Sequence, residues 1–232
     1  MAIIPRLPGS ALRTVLLDVD GTLIDSNDGH ARAWVAAFAR HGYVVPFAKV
    51  RRLIGKGGDK LLPELTGLDP ESGEGKRISA DRGEIFAHDE LPSLRPTPGA
   101  RDLLERLRDL DLQLVVATSA QAAEVTAILT QAGVADLIAV AASADDAERS
   151  KPHPDIVQAA LRKGGSQPSH SVMIGDTPYD VEAATRARVP IIALRSGGWD
   201  DEALVGAAAI YEHPADLLAN LADSPFAPAI GR

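Results

Sequence analysis

The sequence predicts an α/β fold in which a mostly parallel sheet lies between helices and an all-helical segment is inserted early in the chain. Three observations carry this. Short apolar runs alternate with stretches of helical periodicity. The runs are apolar at successive positions, as strands covered on both faces require. One long region, residues 26–94, holds helical patterns and no convincing buried strand.

Taken in order, the first run is 15–17, and it leads straight into "DVDGTL". Helical patterns follow at 31–41, 47–54, 60–66 and 74–88. Gly55, Gly57 and Gly58 punctuate them, and Pro92, Pro96 and Pro98 close them. Leu103, Leu104, Leu107 and Leu110 recur at helical spacing before the second run, 112–117. Val125, Ile128 and Leu129 mark the next helix, and 137–141 is the third run. Ile156, Val157, Ala160 and Leu161 mark another helix, and 172–174 and 191–194 are the last two runs. The expected organisation is a discontinuous core, residues 11–25 and 95–222, carrying a helical cap domain at 26–94.

Composition narrows the class. Hydrophobic residues make up 45% of 232, enough to bury a sizeable core and too many for a disordered chain. There is no cysteine, so neither a disulfide framework nor a thiolate metal site is available, and a cytoplasmic location fits. A net charge of −8 makes nucleic acid and anionic lipid poor partners. An anionic substrate stays possible beside a bound cation. Pro5 and Pro8 break the N-terminal segment, which does not read as a signal peptide, and no apolar run has membrane-spanning length. The expected partner is a small molecule; monomer and homodimer would both be ordinary.

Ligands of open α/β sheets bind outside the carboxyl ends of the strands. Asp18 and Asp20 follow the first run, Thr118 and Ser119 the second. Lys151 stands in "SKPHPD", between the third and fourth. Asp176 and Asp180 follow the fourth in "GDTPYD". If these strands are neighbours, all of these groups share one site. Several carboxylates at one point repel unless a cation neutralises them. With oxygen ligands alone, a hard divalent ion such as Mg²⁺ is the natural choice. A lysine beside hydroxyls would hold phosphate oxygens. An aspartate can attack phosphorus, and a second carboxyl can move the protons that reaction needs.

"DVDGTL", "TSA", "SKPHPD" and "GDTPYD" resemble, in order, the four motifs of the haloacid dehalogenase-like superfamily. The resemblance covers nearly the whole chain and implies a Rossmann-like core with a helical cap after the first strand. It further implies Asp18 as nucleophile and Asp20 as general acid/base that also gives its backbone carbonyl to the metal. Thr118, Ser119 and Lys151 would bind phosphate. Asp176 would ligate Mg²⁺, with Asp180 supporting the metal site.

Asp20 separates branches of this superfamily. The dehalogenase and phosphonatase branches lack an aspartate at that place, so its presence points to phosphate ester chemistry. The stretch "DSNDGHARAW" is similar to β-phosphoglucomutase, which makes His30 a candidate for substrate handling. The fourth motif, Gly175-Asp176-Thr177 with Asp180, looks phosphatase-like instead. The cap arginine of the mutase is replaced near Gly57 and Gly58, where Arg51 and Arg52 could partly substitute. The loop 55–59 is the best cap candidate for substrate contact, with Gly55, Lys56 and Gly57 named. Trp34 and Phe38 are expected in the cap core, and Arg195 is a further candidate to reach the site. The expected activity is Mg²⁺-dependent hydrolysis of a small phosphomonoester, phosphoglycolate or a sugar phosphate. The alternatives are a phosphoryl-transferring mutase and a receiver-type regulatory domain.

Overall fold

The computed structural model describes residues 12–230; the N-terminal segment read above, and the predicted start of the core at position 11, lie outside them. Six parallel strands form one sheet in the order β3-β2-β1-β4-β5-β6. They are β1 (Thr14–Leu17), β2 (Gln113–Ala117), β3 (Val140–Ala142), β4 (Ser171–Gly175), β5 (Ile191–Leu194) and β6 (Ala209–Tyr211). Successive side chains of a strand point to opposite faces. Val15 and Leu17 accordingly join one buried cluster with Leu114, Val116, Val172 and Ile174, and Leu16 joins the other with Val115 and Met173. That is why the central strands read as unbroken apolar runs.

Ten helices complete the described chain: α1 (Asn27–Arg40), α2 (Phe47–Arg51), α3 (Gly58–Thr66), α4 (Gly73–Ile85), α5 (Ala100–Asp109), α6 (Ala122–Gln131), α7 (Asp155–Lys163), α8 (Pro178–Arg186), α9 (Pro214–Ala219) and α10 (Ala227–Ile230). The first four form the helical cap, between β1 and β2. Trp34, Phe38, Ile78 and Phe86 are its buried apolar centre. The two chain segments that join it to the sheet run side by side: Ile24 bridges Pro96, and the Asp25 N–H donates to the Arg95 carbonyl at 2.9 Å.

The structure departs from the sequence reading in three places. The third strand is 140–142, not 137–141. Ala135–Leu137 forms a 3₁₀ turn instead, pinned by the Asp136–Arg101 pair at 2.8 Å, and Leu137 is buried from that turn. The helix read over 74–88 ends at Ile85 and widens into a π turn, Phe86–Glu90. The core also runs past residue 222, because Phe226 is fully buried in the first cluster. Among the described residues no helix is long and apolar enough to cross a membrane.

Candidate active site

Leu17 of β1 is level with Val116 of β2 and Ile174 of β4. Asp18, Thr118 and Asp176 therefore leave adjacent parallel strands side by side, where the strand order reverses between β1 and β4. Lys151, from the segment before α7, is fully buried; its ammonium lies 2.5 Å from Asp18 Oδ1 and 2.7 Å from Asp180 Oδ1. Asp180 is fixed by the start of its own helix. Thr177 donates to Asp180 Oδ2 from its N–H (3.0 Å) and its hydroxyl (2.6 Å), and the Asp180 N–H donates back to Thr177 Oγ1 at 3.2 Å. This is a capping box, so a common helix-start device aims one of the site's carboxylates.

Asp176 accepts from Asn27 Nδ2 at 2.8 Å and from the Thr22 hydroxyl at 3.3 Å. Asp20 turns the other way. Its Oδ1 accepts from the Ser26 hydroxyl at 2.5 Å and lies 2.8 Å from His30 Nε2. The His30 ring stacks on Phe86 at 3.8 Å, which holds it in place. Between the two aspartates' strand and α1 the backbone must fold back sharply. Gly21 makes that turn at φ +74°, and a side chain there would strike Asp176 and Asn27.

These surroundings push the carboxyls apart. Burial drives Asp18 up from 3.8 to about 7; Lys151 opposes this, and Asp180 and Asp20 add to it. Asp176 rises well above the ordinary carboxylate range, through burial first and then through Asp18 and Asp180. Burial also works to raise Asp20, but the charge and hydrogen bond of His30 and the bond from Ser26 hold it below its ordinary value. Burial disfavours the Lys151 charge, yet Asp18 and Asp180 hold its pKa above the ordinary value. Two carboxyls two residues apart thus have opposite tendencies, the pattern that assigns different proton roles.

Residues 15–194 match the family described as haloacid dehalogenase-like hydrolase. The chain belongs to that family. It is similar to a phosphoglycolate phosphatase of Yersinia pseudotuberculosis, with 31% identity over 95% of this chain and 94% of that one. It is also similar to a validoxylamine A 7'-phosphate phosphatase of Streptomyces hygroscopicus subsp. limoneus, with 30% identity over 84% and 91%. Among solved structures, a hydrolase from Pseudomonas syringae superposes with a TM-score of 0.84 at 30% identity, covering 91% of this chain and 98% of that one.

In this haloacid dehalogenase-like hydrolase, one carboxylate oxygen each from Asp18, Asp176 and Asp180 lie within 4.8 Å of one another, and all three residues are buried. An all-oxygen donor set of buried carboxylates fits a hard divalent cation such as Mg²⁺. Asn27 Oδ1 is buried beside them without a partner, an acceptor suited to a water of such an ion. The Asp20 carboxylate stands outside this set.

A cavity of about 70 Å³ opens over Asp18, Asp20, Thr118 and Ser119, with His30 on its wall. The Ser119 hydroxyl is buried and unpartnered; Thr118 Oγ1 accepts from the Ala120 N–H at 3.1 Å. Gly55, Lys56 and Gly57 line the same cavity from the cap. Gly55 sits at φ +102° against the Thr177 side chain, and Gly57 against Ser150, so this loop docks directly on the core loops that carry Asp180 and Lys151. Lys56 is held by Glu64 at 2.6 Å.

Other candidates are not brought in. Arg195 pairs with Asp201 and Glu212, each at 2.7 Å, because those acids flank it on the surface. Arg51 is bound to Asp28 (2.6 Å) and to the Gly197 carbonyl (2.8 Å), and Arg52 lies over Trp199. Sequence reasoning missed Thr22, Ser26, Asn27 and Thr177, which act by orienting Asp20, Asp176 and Asp180. Thr177-x-x-Asp180 was legible as a capping box; the other three needed the fold of the turn after Asp20. It also missed Arg82, from α4, which lines the cavity with its partner Glu124, from α6.

Proposed function

We propose that this haloacid dehalogenase-like phosphoric monoester hydrolase releases phosphate from a small soluble cytoplasmic metabolite, with Mg²⁺, through an aspartyl-phosphate at Asp18. The observation that carries the reading is the convergence of Asp18, Lys151, Asp176 and Asp180 beneath one cavity. Relatives named for phosphoglycolate and for a 7'-phosphate support the substrate class. Residues 26–94 are taken as the cap.

In the first half-reaction an Asp18 oxygen attacks phosphorus in line, and the bond from phosphorus to the leaving oxygen breaks. Lys151 with the hydroxyls of Thr118 and Ser119 holds the non-bridging oxygens where charge gathers. Asp20 gives the leaving oxygen its proton. Ionised at rest, Asp20 takes that proton from solvent as the phosphate dianion arrives beside it, since a like charge raises a carboxyl's pKa. In the second half-reaction Asp20 takes a proton from water, the water oxygen bonds to phosphorus, and the Asp18–phosphorus bond breaks. Asp18, Asp176 and the Asp20 carbonyl, supported by Asp180, would hold Mg²⁺, which offsets the charge of the carboxylates and phosphate. His30, Gly55, Lys56 and Gly57 face the leaving group.

A mutase needs a cap cation for a second phosphate. Arg51, Lys56 and Arg82 are each engaged by a carboxylate, which favours the hydrolase. The test is phosphate release from a panel of esters with and without Mg²⁺. Release that depends on the metal is expected; release unchanged after exhaustive chelation refutes the metal's part.

A further inference from the structure

The inner cavity over Asp18 does not end the cleft. An outer chamber of about 510 Å³ continues from it toward α4 and α6, and Arg82 and Trp34 line both. Arg82 comes from the cap and its partner Glu124 from the core. Arg82 Nη1 lies 3.0 Å from Glu124 Oε1 and donates to Oε2 at 3.3 Å, with side-chain exposures of only 12% and 16%. The guanidinium lies 5.5 Å from the centre of the Trp34 ring. Its Nε–H is buried and has no acceptor within the protein. A leaving group that extends outward from phosphorus held at Asp18 passes this pair.

We infer that Arg82, Glu124 and Trp34 form a subsite that selects a polyhydroxylated leaving group, a sugar or cyclitol, over one carrying a second anion. The inference rests on the phosphatase reading above and adds the substrate class. The ion pair is neutral as a unit yet offers a donor and an acceptor on neighbouring atoms. A sugar hydroxyl both accepts and donates, so one hydroxyl, or a vicinal pair, satisfies both partners. The C–H face of the ring packs on Trp34 and on the apolar wall of Leu53, Ile54 and Leu61. A carboxylate or second phosphate meets the Glu124 charge instead. It can accept from the free Nε–H of Arg82 only beside that charge, and pairing with the whole guanidinium displaces Glu124, which leaves a largely buried carboxylate without its cation. Lys56, the other cap cation of the inner cavity, is already held by Glu64. Family membership does not choose between these leaving groups, because the relatives' named substrates differ.

The test compares kcat/KM for hexose and pentose monophosphates with that for 2-phosphoglycolate and a hexose bisphosphate, using the full chain with Mg²⁺. The wild type is expected to favour a sugar monophosphate by about tenfold or more. Glu124→Gln keeps shape but removes the charge that balances Arg82. It is expected to lower kcat/KM for the sugar phosphate while raising it for phosphoglycolate, moving the ratio by about tenfold. A residue with only a structural role would lower both together. Calorimetry adds a readout without turnover: the Asp18→Asn protein should bind the sugar monophosphate about tenfold more tightly than Asp18→Asn with Glu124→Gln. A wild-type preference for phosphoglycolate or the bisphosphate overturns the inference but leaves the phosphatase reading standing. So does an unchanged ratio in Glu124→Gln. No release from any ester overturns the phosphatase reading, and this inference with it.

Discussion

Asp18→Asn should abolish turnover and, in the metal-free protein, raise stability at alkaline pH. The Asp18 carboxyl is almost fully buried, and its pKa rises from 3.8 to about 7. The folded chain therefore holds a proton on Asp18 between those values that the unfolded chain has released. Stability is greatest at the low end of that window and falls as pH rises through it. At about 1.4 kcal/mol per pKa unit, a rise from 3.8 to about 7 is worth about 4 kcal/mol by pH 8. Asparagine keeps the shape and cannot ionise, so most of that penalty disappears. The pull of Lys151 is already contained in that shift, and in the variant Lys151 keeps Asp180. The expected gain is on the order of 2–4 kcal/mol at pH 8 and close to none at pH 4. Urea unfolding of both proteins in EDTA, from pH 4 to pH 8, measures it. Asp176, which is raised as well, keeps part of the pH slope in the variant. A variant less stable than wild type at pH 8, or one with an unchanged slope, would refute the electrostatic account of this strand end.

Three further outcomes follow from the same geometry. Mg²⁺ should raise the melting temperature of the wild type more at pH 8 than at pH 5, since Asp18 binds a cation only after losing its proton; a shift independent of pH contradicts this. Asp20→Asn should slow turnover by about 10²–10⁴-fold for alkyl esters and much less for aryl esters, whose leaving groups need no proton; equal losses on both would remove Asp20 from proton transfer. Gly55→Ala places a side chain against Thr177 at φ +102°, and should cost about 1–3 kcal/mol in urea unfolding together with activity, because the loop no longer seats on the core; full stability and activity would show the loop to be a simple turn.

Most of the core was legible because its causes are local. Val15, Leu16 and Leu17 announce a strand buried on both faces, and Asp18 and Asp20 break that run in a way packing cannot explain. The parallel register then aligns Leu17, Val116 and Ile174, so residues far apart in sequence become neighbours without any further signal. The third strand was less legible. Leu137 is as apolar as a strand residue, yet it is buried from a turn closed by its own N–H on the Val134 carbonyl and joined to α5 by the Asp136–Arg101 pair, a contact across 35 positions. Strand β6 is three half-buried residues at the sheet edge, within an alanine-rich stretch that carries no clear period. The supporting residues Ser26 and Asn27 act through a fold-back that Gly21 permits but does not announce. Arg82 and Glu124 meet across the cap and core, and no spacing rule relates α4 to α6.

The central claim is that Asp18 carries the phosphoryl group between two half-reactions. Rapid acid quench of the enzyme during turnover of a sugar monophosphate, followed by peptide mapping, tests it most directly. The account predicts a hydroxylamine-labile phosphoryl group on the peptide containing Asp18, absent in Asp18→Asn and lost on chase with unlabelled substrate. Steady turnover with no label on that peptide, or label on a different residue, would contradict it.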